Sequence, residues 1–177
     1  HASGVGEPLE PGLVRVILVL KLLTYVKGYS GIRPMLAKKI VQFLNSDVLP
    51  VIPKKGSVGA SGDLAPLGHM ALSLVGEGHV FYKGKKLPTK TALKKARIKP
   101  IVLHPKEGIS LINGTQVSTS LAIKALLDGD ILIKTADIAG ALSVETSLSS
   151  LAGFHKNVHA LKSHPGQQIV ARNVEKM

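Results

Sequence analysis

Apolar residues recur along this chain at helical spacing, and proline and glycine cut the pattern at intervals. From the prolines at 8 and 11 onward, leucine, isoleucine and valine return every three or four positions. This predicts a helix running to about residue 27 and closed by Gly28. A second helix follows Pro34, with Leu36, Ile40, Phe43 and Leu44 on one face, and ends near Asn45. Residues 50–62, rich in Pro, Gly and Ser, read as a loop. A third helix is predicted after Gly62, with Asp63 as its N-cap and Pro66 tolerated in the first turn, and it stops at Gly76-Glu77-Gly78.

Residues 79–82 and 85–87, split by Lys83-Gly84, read as a small exposed hairpin, and 91–97 as a short basic helix. No proline occurs from Lys106 to Ser163, and within that span Val117, Leu121, Ala125, Leu132, Ile138 and Leu142 keep an apolar spacing. One long helix is predicted over 115–150, weakened at Gly129 and Gly140, with another beginning near Pro165. There is no internal repeat. The pattern predicts an all-α fold, a long-helix bundle with a small β-hairpin excursion.

Composition narrows this further. Aromatics are only 3% and Trp is absent, so a core must be built from Leu, Ile, Val and Ala, which favours packed helices over a β-sandwich. The absence of cysteine excludes disulfides, thiolate metal sites and cysteine nucleophiles, and fits a cytoplasmic location. The most apolar stretch, 13–26, contains Arg15 and Lys21 and is too short to span a bilayer, so it reads as a buried helix with no membrane role.

A net charge of +12 raises the question of an anionic partner. Lys83, Lys85, Lys86, Lys90, Lys94, Lys95 and Lys99 crowd the middle of the chain, with only Phe81 and Tyr82 nearby to stack on bases. A solvated basic surface accounts for them more simply. A basic nucleic-acid-binding helical module is the rival reading, which lysines in one stripe would favour and scattered lysines would not. The chain begins at His1 in a glycine-containing loop and stops at Met177 inside a helix, so it reads as an internal fragment of a longer protein.

The stretch Gly56-Ser57-Val58-Gly59-Ala60-Ser61-Gly62-Asp63-Leu64-Ala65-Pro66-Leu67 carries the chemistry. Its spaced glycines suggest backbone that bends sharply or approaches something closely. A phosphate cradle would need a following Gly-Lys-Ser/Thr, which is absent, and Asp63 would repel a phosphate at the helix start. A plain glycine-rich linker before a capped helix is the bland alternative.

This stretch closely resembles the motif of the aromatic amino acid ammonia-lyases. In that family an Ala-Ser-Gly tripeptide cyclises to 4-methylideneimidazol-5-one (MIO), an electrophile made without metal or pyridoxal phosphate. The resemblance implies that Ala60, Ser61 and Gly62 form it. The Gly62 nitrogen would attack the Ala60 carbonyl carbon, closing the ring with loss of one water, and Ser61 would lose its hydroxyl as a second.

Further segments resemble the family in order and spacing: His1-Ala2-Ser3-Gly4-Val5-Gly6-Glu7-Pro8-Leu9, Ser30-Gly31-Ile32-Arg33-Pro34, Leu111-Ile112-Asn113-Gly114-Thr115-Gln116 and His164-Pro165-Gly166-Gln167. The fold implied is the aspartase/fumarase-like helical bundle, assembled as a homotetramer. The domains implied are 1–113, part of the MIO-bearing domain, and 114–177, the start of the central bundle.

By the same resemblance Asn113 holds the MIO oxygen and the substrate amino-group region, although alone it reads as a helix cap before Gly114. His1 lines the pocket for the substrate side chain. His1, Gly76-Glu77-Gly78 and Asn113-Gly114-Thr115-Gln116 are similar to the histidine enzymes. The reaction implied is elimination of ammonia from L-histidine, a small-molecule substrate, to give trans-urocanate. Phenylalanine or tyrosine ammonia-lyase, or a related aminomutase, is the alternative within the family.

The family's tyrosine base lies upstream of the position matching His1, so the fragment alone is expected to be inactive. His155 and His159 are four apart, with His104 and His164 elsewhere, but no carboxylate completes a zinc pattern and they read as surface or capping histidines. His69 reads as a packed or hydrogen-bonded helix residue.

Overall fold

Pro11 opens the first helix, α1 (Pro11–Val26), because its fixed φ suits the first turn, where its missing N–H would be unpaired anyway. Leu13, Val14, Ile17, Leu18, Lys21 and Tyr25 form its buried face, and the Gly28 N–H closes it on the carbonyl of Tyr25 at 3.0 Å. α2 (Pro34–Asn45) also starts on proline and buries Leu36, Ile40 and Phe43 completely. These helices are known from a computed structural model that describes residues 4–177. The described chain divides into two units, one ending at Ile123 and the other Lys124–Met177.

Three strands depart from the sequence expectation. β1 (Val5–Pro8) lies in the opening stretch read as loop, β2 (Val48–Pro50) lies where no strand was expected, between the second helix and the predicted loop, and β3 (Pro53–Lys55) lies within 50–62. β1 pairs antiparallel with β3. β2 pairs with β4 (His79–Tyr82), which pairs with β5 (Lys85–Pro88), so the sheet order is β2-β4-β5. Strands of three or four residues show no alternation long enough to read, and proline occurs in each of β1, β2 and β3. The hairpin is therefore not a wholly exposed excursion, since Val80 on β4 is fully buried. Its turn is as expected: Lys83 at φ 50 and Gly84 at φ 75 supply the two positive dihedrals of a two-residue connection.

α3 (Leu64–Leu74) and the basic α4 (Thr89–Ala96) lie where the pattern placed them. A six-residue helix, α5 (Glu107–Ile112), was not anticipated, being too short to show a period. It brings in Glu107, almost fully buried, whose carboxylate accepts from Arg33 Nε at 2.9 Å, Arg33 Nη2 at 2.8 Å and the His104 N–H at 2.8 Å. This ion pair fixes the start of α2 to the start of α5. The core of this unit joins α1, α2, α3 and the sheet through residues such as Ile17, Phe43, Met70 and Val80.

α6 (Gln116–Thr146) is one unbroken helix of 31 residues. Gly129 and Gly140 do not interrupt it, and a Cβ added at either would meet nothing. In the second unit it is followed by a 3-10 turn at Leu151–Phe154, then α7 (Lys156–Ala160) and α8 (Pro165–Lys176). Ala141, Ala171 and Val174 are buried there, and Asn173 Nδ2 donates to the Asp137 carboxylate at 2.6 Å. Leu126, Leu127, Ile131 and Leu132 on α6 are all exposed. No helix among the described residues is long and apolar enough to cross a membrane.

Candidate active site

Gly62 and Gly114 each stand two residues ahead of a helix, α3 and α6 respectively, and their backbones pair in a parallel bridge. The Asp63 N–H donates to the Gly114 carbonyl at 2.7 Å. Contact is so close that a Cβ on Gly62 would lie 2.6 Å from the Gly114 nitrogen and 2.8 Å from its carbonyl carbon. Only glycine fits there. Two helix N-termini therefore open at one place.

Ser61 at φ 58 and Gly62 at φ 97 are consecutive left-handed residues, so the tripeptide turns back on itself. A left-handed conformation is costly for serine and is held here by its neighbours. Ala60 and Ser61 are exposed, Gly62 is half-buried and Asp63 is buried. The structure thus brings the tripeptide beside the segment containing Asn113. Asn113 ends α5, its side chain is exposed, and Gly114 follows directly. His1 lies outside the described residues.

Asp63 occupies the N-cap position of α3, as expected, but its side chain does not cap α3. The carboxylate instead accepts from the Ser118 N–H at 2.8 Å, the Ser118 hydroxyl at 2.6 Å and the Ser57 hydroxyl at 2.7 Å. It therefore caps α6. Burial pushes its pKa up, but the hydrogen bonds from Ser118, Ser57 and the Val117 amide outweigh this and hold it below the usual carboxylate range. The expectation missed this because the partner lies 55 residues away.

Beneath Asn113-Gly114 lies Lys21, fully buried on α1. Its ammonium donates to the Asn113 carbonyl at 3.0 Å and to Gln116 Oε1 at 3.4 Å. The Gln116 amide in turn donates to Thr24 Oγ1 at 3.1 Å, and the Tyr25 hydroxyl donates to the Ser110 carbonyl at 3.2 Å. The Lys21 ammonium also sits 5.7 Å from the centre of the Tyr25 ring. Burial lowers the Lys21 pKa to about 8 and, with the nearby Glu107 charge, raises that of Tyr25. Lys21 lies in the stretch whose pattern predicts a buried helix, and nothing in that pattern gives it a role. The available signal was a cation in an otherwise apolar turn.

His69 on α3 accepts from the Gly4 N–H at Nε2, 3.2 Å away, which matches the hydrogen-bonded helix residue expected. Burial holds its pKa below the usual histidine range. His155 Nδ1 accepts from the Asn157 N–H at 3.3 Å and so caps α7. A groove of about 600 Å³ lies elsewhere, in the second unit, lined by Ile138, Leu142, Leu148 and Val174, and contains none of these groups.

Known proteins similar to this chain are found by sequence and by structure. The chain is 49% identical over 174 residues to histidine ammonia-lyase of Alkaliphilus metalliredigens, covering 98% of this chain and 34% of that protein. Against the crystal structure of histidine ammonia-lyase from Trypanosoma cruzi the TM-score is 0.92 at 36% identity, over 99% of this chain and 35% of that one. Against Pantoea agglomerans phenylalanine aminomutase it is 0.93 at 32% identity, over 99% and 34%. The chain thus spans about a third of the length of the relatives it matches. The sequence profile described as aromatic amino acid lyase matches residues 1–177. Matched by that profile over its whole length, the chain belongs to the aromatic amino acid lyase family.

Proposed function

We propose that this chain is the electrophile-bearing part of a histidine ammonia-lyase, which eliminates ammonia from L-histidine to give trans-urocanate. The observation that carries the reading is the exposed left-handed turn at Ser61-Gly62, seated on Gly114 where two helices begin. Its substrate assignment is supported by identities of 47–49% to histidine ammonia-lyases across nearly the whole chain.

The residues fit a ring formed from Ala60, Ser61 and Gly62. Gly62 carries no side chain to block approach of its nitrogen to the Ala60 carbonyl. Ser61 is exposed, so its hydroxyl can leave without stranding a buried polar group. Such a ring, MIO, supplies an electrophilic carbon to an amine. The N-terminus of α3, which no side chain caps, favours negative charge on its oxygen, and the Asn113 carboxamide, beside Gly114, is free to hydrogen-bond there or to the substrate amino group. His1 lines the side-chain pocket in this reading. The reading needs neither a metal nor pyridoxal phosphate.

A cytoplasmic homotetramer is part of the proposal. The exposed Leu126, Leu127, Ile131 and Leu132 on α6 support burial of that helix against further chain or further subunits. Residues 1–113 would then belong to the domain bearing the ring, and 114–177 to the central bundle.

Intact mass of the full-length protein tests the core of the reading. The protein should weigh two waters less than its sequence, and Ser61→Ala should abolish both the deficit and most ammonia release from histidine while the melting temperature stays nearly unchanged. Full activity in Ser61→Ala would sink it. Greater kcat/KM on phenylalanine or tyrosine than on histidine would move the assignment to the other enzymes of the family.

A further inference from the structure

We infer that Lys21 is a positioning residue for the tripeptide: from inside α1, its ammonium holds the Asn113-Gly114 backbone in the place against which Gly62 is seated. The inference rests on the reading of Ala60-Ser61-Gly62 as the electrophile.

The geometry is a clamp on one short segment. The Asn113 carbonyl is taken by Lys21 at 3.0 Å, and the next carbonyl, that of Gly114, is taken by the Asp63 N–H at 2.7 Å. Gly114 adopts φ 142 and, having no side chain, does not itself fix that conformation. Its surface is what Gly62 touches, so the bend at Ser61-Gly62 depends on where that peptide lies. Lys21 also donates to Gln116, whose side chain packs so near Gly114 that an added Cβ would lie 2.9 Å from Gln116 Nε2.

Packing alone does not call for a cation here. Thr24 and Tyr25 already dock the same end of α1 on this segment through uncharged hydrogen bonds, to Gln116 and Ser110. A fully buried ammonium carries a desolvation penalty that an apolar side chain of similar length avoids. What it grips accounts for a cation there: the carbonyl between the residue bearing the exposed carboxamide and the glycine beneath the tripeptide.

The test uses the full-length protein with Lys21→Met, Lys21→Gln and Lys21→Arg. Four quantities are read: hydrogen exchange of the Asp63 amide, the fraction of molecules lacking two waters, the kcat and KM for histidine, and the melting temperature. In Lys21→Met, exchange at Asp63 should rise about tenfold or more, and the ring-bearing fraction or kcat should fall by a similar factor, with KM changed much less. Lys21→Arg, which keeps a charged donor, should recover most of the loss. Should Lys21→Met fail to fold, Lys21→Gln carries the same readouts.

Wild-type exchange at Asp63 together with wild-type kcat in the folded variant would overturn the inference. So would losses that merely follow a lowered melting temperature and are not recovered by arginine. If the unaltered protein shows no two-water deficit, the electrophile reading fails, whereas exchange at Asp63 still decides whether Lys21 holds the segment.

Discussion

The carboxylate of Asp63 caps the helix that begins at Gln116 rather than its own, accepting the backbone N–H and the hydroxyl of Ser118 at 2.8 and 2.6 Å. One side chain thereby locks the starts of α3 and α6 together. Asp63→Ala should cost about 1–3 kcal/mol in urea unfolding, the range for losing a cap and leaving buried donors unpaired. Ser118→Ala, which keeps the backbone bond, should cost less. Equal, negligible losses in both would show that the cap is not held in solution.

Gly62 and Gly59 offer an internal comparison. Both have positive φ, 97 and 70, but a Cβ at Gly59 would meet nothing, whereas at Gly62 it would enter the Gly114 backbone. Gly59→Ala should cost about 1–2 kcal/mol, the strain of a left-handed alanine. Gly62→Ala should cost more and should force α3 and α6 apart, visible as loss of exchange protection at the Asp63 amide. Equal costs would show that the two segments do not touch so closely.

Glu107 governs the acid limb of stability. The Arg33 guanidinium, with the His104 and Arg33 amides, holds its pKa at about 2 against burial, well below the ordinary 4.5. The folded state therefore binds this proton less readily than the unfolded chain. The stabilisation is complete above pH 4.5 and is lost as pH falls towards about 2. Asp63, also held low, acts in the same direction. Arg33→Met leaves a buried carboxylate unpaired and should cost about 3–5 kcal/mol at neutral pH. It should also move acid unfolding to higher pH, which denaturant melts across a pH series will show.

Lys21 predicts a second rise of stability with pH, on the basic side. Its folded pKa, about 8, lies below the unfolded 10.5, so between these values the unfolded chain holds a proton the folded chain has lost. Stability should therefore rise from about pH 8 to about pH 10, above which Tyr25, raised from 10.0, opposes the trend. Lys39, also lowered by burial, contributes in the same sense. Lys21→Met should flatten the slope, as read from melting temperatures over that interval. An unchanged slope would mean that Lys21 titrates normally.

What was legible in the chain follows the range of the interactions involved. Proline at 11, 34 and 165 and glycine at 28 and 76 mark helix ends through local backbone preference, and the helices stand where those residues placed them. β1, β2, β3 and α5 were not legible, because each has too few residues to show a period and each is fixed by partners distant in sequence. Within the candidate site, the bend at residues 61–62 and the start of α3 were readable from the glycines. The turning of Asp63 towards Ser118, and of Lys21 towards Asn113, was not, since a side chain's choice of partner depends on what the fold carries past it.

The same distances set an order of events. Gly62 can rest on Gly114 only after the chain between them has closed, and Lys21 reaches Asn113 only across 92 residues. Closures of that span carry an entropic cost that is recovered late, when the intervening elements have condensed. The seat of the Ser61-Gly62 turn on Gly114 therefore exists only in a chain whose long-range contacts have formed. A chain that has not made those contacts lacks that seat, and whatever reactivity the shape confers would belong to the folded molecule alone.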